Sequence, residues 1–264
     1  MLGKLAIDEQ AVADKIAAFI SDAVEQPGLD GAVVALSGGV DSAVSAFLTA
    51  RALGPDAVRA YNMPYATSSP SSEEHARMVA SQLGVALEVL DITPQIDIYF
   101  ERFPEADRIR RANKMARERM SVIYDMAKVH HAMVIGTGNK TEGMLGYTTM
   151  WGDMAAGISP IGGLYKTQVR QLAVYLGVPQ VIIDKAPSAD LWAGQTDEGE
   201  LEVTYAQADW VLYNMLELQK DAQTIIAEGS DATAVERIFA LTERNAFKRR
   251  MPPSCDICDC WING

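Results

Sequence analysis

Leu36-Ser37-Gly38-Gly39-Val40-Asp41-Ser42-Ala43 decides the reading of this 264-residue chain. The apolar run Ala32-Val33-Val34-Ala35 precedes it, and a helical pattern at Val44, Phe47 and Leu48 follows. The order is therefore strand, glycine turn, helix. Two glycines let successive N–H groups converge on one anion, and the helix N-terminus behind them adds partial positive charge. Asp41 does not suit a bare phosphate cradle, because a carboxylate beside phosphates is repelled unless a cation lies between them. A bound Mg²⁺ would supply that cation. The Gly-Lys-[Ser/Thr] ending of a Walker loop is missing.

Around this loop, short apolar runs alternate with helical periodicity. Strands are expected at 31–36, 57–62, 86–91 and 131–136, and helices at 8–26, 42–53, 71–83, 106–129, 165–177, 205–219 and 231–246. The pattern predicts a doubly wound α/β fold, a parallel sheet with helices on both faces and a helical C-terminal part. In such sheets ligands bind beyond the carboxyl ends of the strands, where the loops at 37–42, 63–69 and 137–142 fall. The periodicity puts Ala112, Met115, Ala116, Met120, Ile123, Tyr124 and Ala127 on one buried stripe, and Asp41 is expected in a solvent-facing loop.

Bulk properties narrow the function. A hydrophobic share of 48% and a charged share of 22% suit a globular domain, and no apolar run is long enough to span a membrane. The N-terminus reads as an amphipathic helix rather than a targeting peptide, so the cytoplasm is the expected compartment. A net charge of −12 disfavours a nucleic-acid partner. It also makes the cations at Arg108, Arg110, Arg111, Lys114, Arg117 and Arg119 more informative. Arg110, Lys114 and Arg117 share one helix face, and Arg117 lies beside the buried stripe. The three cysteines, Cys255, Cys258 and Cys260, all lie in the last ten residues; they exclude a disulfide framework and fall short of a four-ligand metal site.

Further candidates sit at loop and helix starts. Ile135-Gly136-Thr137-Gly138-Asn139-Lys140-Thr141-Glu142 repeats the arrangement of the first loop, with Thr137 able to bond a nucleotide and Glu142 to give a second carboxylate to a metal. Lys166 opens a helix, where a cation opposes the dipole and a phosphate partner accounts for it. The Gly/Pro-marked segment from Lys185 to Glu198 reads as a loop that closes over substrate.

The loop matches the SGGxDS pattern of the ATP-pyrophosphatase superfamily. In one order the chain also carries MPYATSS, NKMARERM, GTGNKTE, GYTTMWGD, PIGGLYKTQVR, KAPSADL and GQTDE over residues 63–198, then Phe247-Lys248-Arg249-Arg250. This series resembles ammonia-dependent NAD⁺ synthetase over nearly the whole chain. The resemblance implies a flavodoxin-like subunit in a homodimer, ATP as co-substrate, Mg²⁺, and amidation of deamido-NAD⁺ by ammonia through an adenylated intermediate. It implies that Ser37, Gly38, Gly39, Val40, Asp41 and Ser42 bind the ATP phosphates, with Thr137, Lys166 and Ser188 also on ATP. Asp41 and Glu142 would hold Mg²⁺, acting with Lys166 in catalysis, while Arg117 and Lys248 would contact deamido-NAD⁺. Residues 1–264 would form one domain with a flexible tail from about 251. No room remains for a fused glutaminase, so ammonia would come free or from a separate glutaminase subunit. Met150 and Gly157 depart from the pattern, where a Lys and a dinucleotide-touching Asp are common. A tRNA-modifying relative and a non-catalytic adenine-nucleotide sensor are the competing readings.

Overall fold

The computed structural model describes residues 2–192 and 194–255. Along the chain α1 (Glu9–Glu25) leads to β1 (Gly31–Ala35), α2 (Val40–Leu53), β2 (Val58–Asn62), α3 (Pro70–Leu83) and β3 (Ala86–Val89). Then come α4 (Thr93–Glu101), α5 (Arg108–Val129), β4 (Ala132–Ile135), α6 (Lys140–Leu145) and α7 (Lys166–Leu176). The helical C-terminal part holds α8 (Gln180–Ile183), α9 (Asp197–Leu201), α10 (Tyr205–Leu216), α11 (Ala222–Ala227) and α12 (Ala232–Arg244), with a 3-10 turn at Ala246–Arg249.

The four strands are parallel in the order β3-β2-β1-β4, with Val34 opposite Ala60 on one side and Ile135 on the other. The chain therefore reverses its direction of winding between β1 and β4, and that is where a crevice opens in a doubly wound sheet. A parallel bridge between Ile135 and Ile158 extends the β4 edge.

Alternation along β1 assigns the two faces. Ala32 and Val34 join the core cluster that includes residues of α1, α2, α3 and α7; Val33 joins the one containing Ile96 and Phe100 of α4 and Met115 and Ile123 of α5. α2 packs against both α1 and α7, so almost every residue from Val40 to Thr49 is buried. That crowding explains its small residues Ala43, Ser45 and Ala46. A third cluster, around Tyr165, Leu212, Val235 and Ile238, holds the C-terminal helices against α6 and α7. Each large aliphatic side chain buried in these clusters contributes about 1.5–3 kcal/mol.

Three sequence expectations need correction. α4, α8, α9 and α11 have no expected counterpart: α8, α9 and α11 span six residues or fewer, and in α4 only Ile96 and Phe100 bury, one turn apart, too short a stripe for the apolar period to stand out. Tyr124 is 43% exposed and leaves the α5 stripe. α2 begins at Val40, so Asp41 lies in its first turn rather than in an open loop. Cys255 is exposed, while Cys258, Cys260 and most of the tail lie outside the described residues.

Candidate active site

The phosphate-type loop builds itself from short-range bonds. Gly38 adopts φ +77°, and a Cβ there would stand 2.1 Å from the Ser72 carbonyl oxygen of α3. Only glycine meets both demands. The Ser42 hydroxyl donates to the Gly39 carbonyl at 3.0 Å and accepts from the Ser37 N–H at 3.2 Å; the two serine hydroxyls lie 3.1 Å apart. Gly39 N–H donates to the Ser37 hydroxyl at 3.3 Å. The first N–H groups of α2 have no acceptor within the helix, and Val40, Asp41 and Ser42 line a cleft of about 780 Å³ at the carboxyl ends of β1 and β4.

In the wall of that cleft three charged side chains from distant segments meet. The Lys166 ammonium, at the first position of α7 and only 3% exposed, is ion-paired with Asp41 and lies 3.1 Å from Glu142. Asn139 joins the two carboxylates: its side-chain amide donates to Asp41 at 2.8 Å, while its Oδ1 accepts the Glu142 N–H at 3.0 Å. The Asn139 N–H in turn donates to the Glu142 carboxylate at 3.3 Å. Burial pushes the Glu142 carboxyl up to about 7, against the pull of Lys166. Burial works against the Lys166 ammonium, but Asp41 and Glu142 outweigh it and hold the group above its ordinary value. Nζ of Lys166 also lies 4.9 Å from the centre of the Tyr205 ring, whose hydroxyl donates to Asp197 at 2.8 Å.

Thr137, Ser188 and Lys248 also line the cleft. The Ser188 hydroxyl accepts the Asp190 N–H at 3.1 Å, and the Lys248 ammonium donates to the carbonyls of Gly146 and Thr148 at 2.7 and 2.8 Å. Arg117 stands apart from this group: it is exposed on α5, and its Nε donates to the Met150 carbonyl at 3.1 Å. Gly157 packs under Met133, whose sulfur would lie 2.3 Å from a Cβ at that position. Met133 therefore fills the space that a side chain at 157 would need.

Some residues of the cleft have no role in the sequence reading. Asn139 was detectable, since Asn139 with Glu142 three positions on is a capping-box pattern. Arg119 donates to the Met63 carbonyl at 2.9 Å, and burial pulls its guanidinium down while Asp190 pushes it back up. Asp190 accepts from the Ser69 N–H and from the Ser72 hydroxyl at 2.8 Å, tying the 185–196 segment to the start of α3. No local pattern marks either contact.

Fold and site together define an α/β nucleotide-binding protein with a glycine loop at the switch point of a parallel sheet. Comparison with known proteins carries this to a family. The family model for NAD synthase matches residues 12–252. The NH(3)-dependent NAD(+) synthetase of Trichlorobacter lovleyi is 48% identical over 251 residues, covering 95% of this chain and 92% of that protein. Among solved structures, the NMN synthetase of Francisella tularensis is 32% identical with a TM-score of 0.85, over 95% of this chain and all of that one. The NH3-dependent NAD synthetase of Campylobacter jejuni, in complex with nitrate, gives 31% and 0.81 over the same shares. The chain belongs to the NAD synthase family.

Proposed function

We propose that this chain amidates deamido-NAD⁺ with ammonia. The nicotinate carboxylate attacks the α-phosphate of ATP, the bond to the β-phosphate breaks, and pyrophosphate leaves with its electron pair. Ammonia then adds to the acyl carbon, a proton is lost, and AMP departs from the new amide. The observation that carries this reading is the convergence of Asp41, Glu142 and Lys166 beside the phosphate loop, in a chain that belongs to this family.

Each part has work in that chemistry. The first-turn N–H groups of α2, with Ser37 and Ser42, hold the phosphates that leave, and a site preformed by its own hydrogen bonds needs little reorganisation as charge develops. Lys166 offsets negative charge on phosphate oxygens. Thr137 and Ser188 contact ATP, and Lys248 and Arg117 contact the nicotinate dinucleotide. No protein nucleophile is required, because adenylation itself makes the acyl carbon reactive.

The donor set suits Mg²⁺. Asp41 and Glu142 are close enough for one ammonium to bridge them, and Mg²⁺ is commonly held by one or two carboxylates together with substrate phosphates. Bound there, the metal would neutralise charge on the α- and β-phosphates. Asp41 and Glu142 would hold the metal, and Lys166, already beside both carboxylates, would supply a second positive charge to the phosphates.

The same reading takes free ammonia as the nitrogen donor, the cytoplasm as compartment, one synthetase domain, and a homodimer as the working form. Exposed Ile98, Tyr99, Phe103 and Ile109 on and between α4 and α5 favour pairing through that face. Sedimentation at micromolar concentration should give a dimer, and a monomer would remove this part. The decisive assay mixes protein, Mg²⁺, ATP, ammonium and deamido-NAD⁺, with NAD⁺, AMP and pyrophosphate expected in equal amounts. ADP with orthophosphate would overturn the proposal. A second reading, nicotinate mononucleotide as acyl substrate, is favoured by the likeness to a protein described as NMN synthetase. The ratio of kcat/KM for the two acids decides between them.

A further inference from the structure

Glu142 and Lys166 reach each other from two separate helices, whose starts meet where the Lys140 N–H donates to the Leu164 carbonyl at 2.9 Å and the Lys166 N–H to the Thr141 hydroxyl. A third helix clamps that junction from outside. Asp209 of α10 is fully buried, and one carboxylate oxygen accepts from the Thr141 hydroxyl at 2.5 Å. The other accepts the backbone N–H of Thr167 at 2.7 Å. The Thr141 hydroxyl oxygen accepts the Lys166 N–H at 3.0 Å. The immediate neighbours of both charged residues are thus pinned to one carboxylate.

We propose that Asp209 is a positioning residue for the adenylation site: it sets the register of α6 against α7, and through it the meeting of Glu142 and Lys166 beside Asp41. The proposal rests on the functional reading given above. Asp209 itself acts only through Thr141 and Thr167. A buried carboxylate is tolerable here because it sits on the N-terminal end of α7 and receives two strong donors. Both donors need an acceptor, so a carboxylate satisfies them and an amide does not. In Asp209→Asn the amide NH₂ faces either the Thr167 N–H or the Thr141 hydroxyl, whose proton then has no acceptor. A shift of about 1 Å in a positioned group is enough to cost about 100-fold in rate.

The test uses the full-length protein. Asp209→Asn is expected to lower kcat for pyrophosphate release by about 10- to 100-fold, with KM for deamido-NAD⁺ unchanged. An Asp209→Asn protein that melts lower but keeps the wild-type kcat overturns the proposal, since Asp209 would then be a brace only. If that variant does not fold, Thr141→Ser and Thr141→Val replace it. The serine keeps the hydroxyl and should retain wild-type turnover, and the valine should lose it; equal kcat for the two overturns the proposal. Calorimetry of Mg–ATP binding on the same samples separates this idea from the functional reading. Should wild-type protein form no AMP at all, the functional reading fails. A loss of Mg–ATP affinity in Asp209→Asn of about 10-fold still supports the tie, and unchanged affinity sinks it.

Discussion

The phosphate loop and the Lys166 cluster share one cleft but are made in opposite ways. The bonds among Ser37, Gly39 and Ser42 that shape the loop join residues at most five apart. The cluster joins Lys166 to Asp41 across 125 positions, and Asn139 to Asp41 across 98. The loop is a property of its own sequence, supported by one close approach to α3. The cluster exists only when β1, β4 and α7 have come together. Damage to the loop should therefore stay local, whereas damage to the cluster should reach both stability and turnover.

Lys166→Met is the harshest way to break this contrast. It leaves two carboxylates close together with no cation, in a place where a lost partner costs about 3–5 kcal/mol. Turnover should fall by about a thousandfold or more, since charge on the phosphates is no longer offset. The melting temperature without metal should drop, and Mg²⁺ should restore part of it by binding only the folded state. Full stability without Mg²⁺ would show that the cluster does not hold the fold.

Gly38→Ala probes the other side. The new methyl meets the Ser72 carbonyl and the residue keeps a positive φ, a strain of about 1–3 kcal/mol. ATP affinity should weaken as the loop opens away from α3, while the far helices keep their cooperative unfolding. If affinity is unchanged while global stability collapses, the loop is not the self-contained unit described here.

The same division governs what could be read from the sequence. The strands, the glycine loop and the helix starts at Lys140 and Lys166 are local in origin, so composition and spacing reveal them. The family resemblance groups Asp41, Glu142 and Lys166 in one role, and the fold brings both carboxylates to the Lys166 ammonium. Asp209 carried no signal. It is one acidic residue on a helix, and only the approach of α10 to α6 and α7 gives it partners. Arg117 shows the converse. Its helix face was read correctly as cationic, yet Lys114 pairs with Glu118 and Arg117 turns to the Met150 carbonyl. Sequence periodicity gives a face and not what lies opposite it.

The mildest probe is titration of the cluster without metal. In the folded protein the Glu142 carboxyl is raised to about 7, above its ordinary value of 4.5. Between these values the folded state keeps a proton that the unfolded chain has released, so this group's contribution is fullest below 4.5 and is lost as pH rises toward 7. The loss is on the order of 1–3 kcal/mol. Two other buried carboxyls, those of Asp197 and Asp209, are also raised by burial and act in the same direction. The informative quantity is therefore a difference. Glu142→Gln cannot titrate, and Lys166 keeps Asp41 as a partner, so the variant should show a shallower decline in denaturant-derived stability from pH 4.5 to 7. Mg–ATP affinity of the wild type should rise over the same interval as Glu142 gives up its proton, and that rise should be absent in the variant. Parallel stability curves for the two proteins would mean that Glu142 is already ionised in the folded state at low pH, and that the Lys166 ammonium alone outweighs its burial.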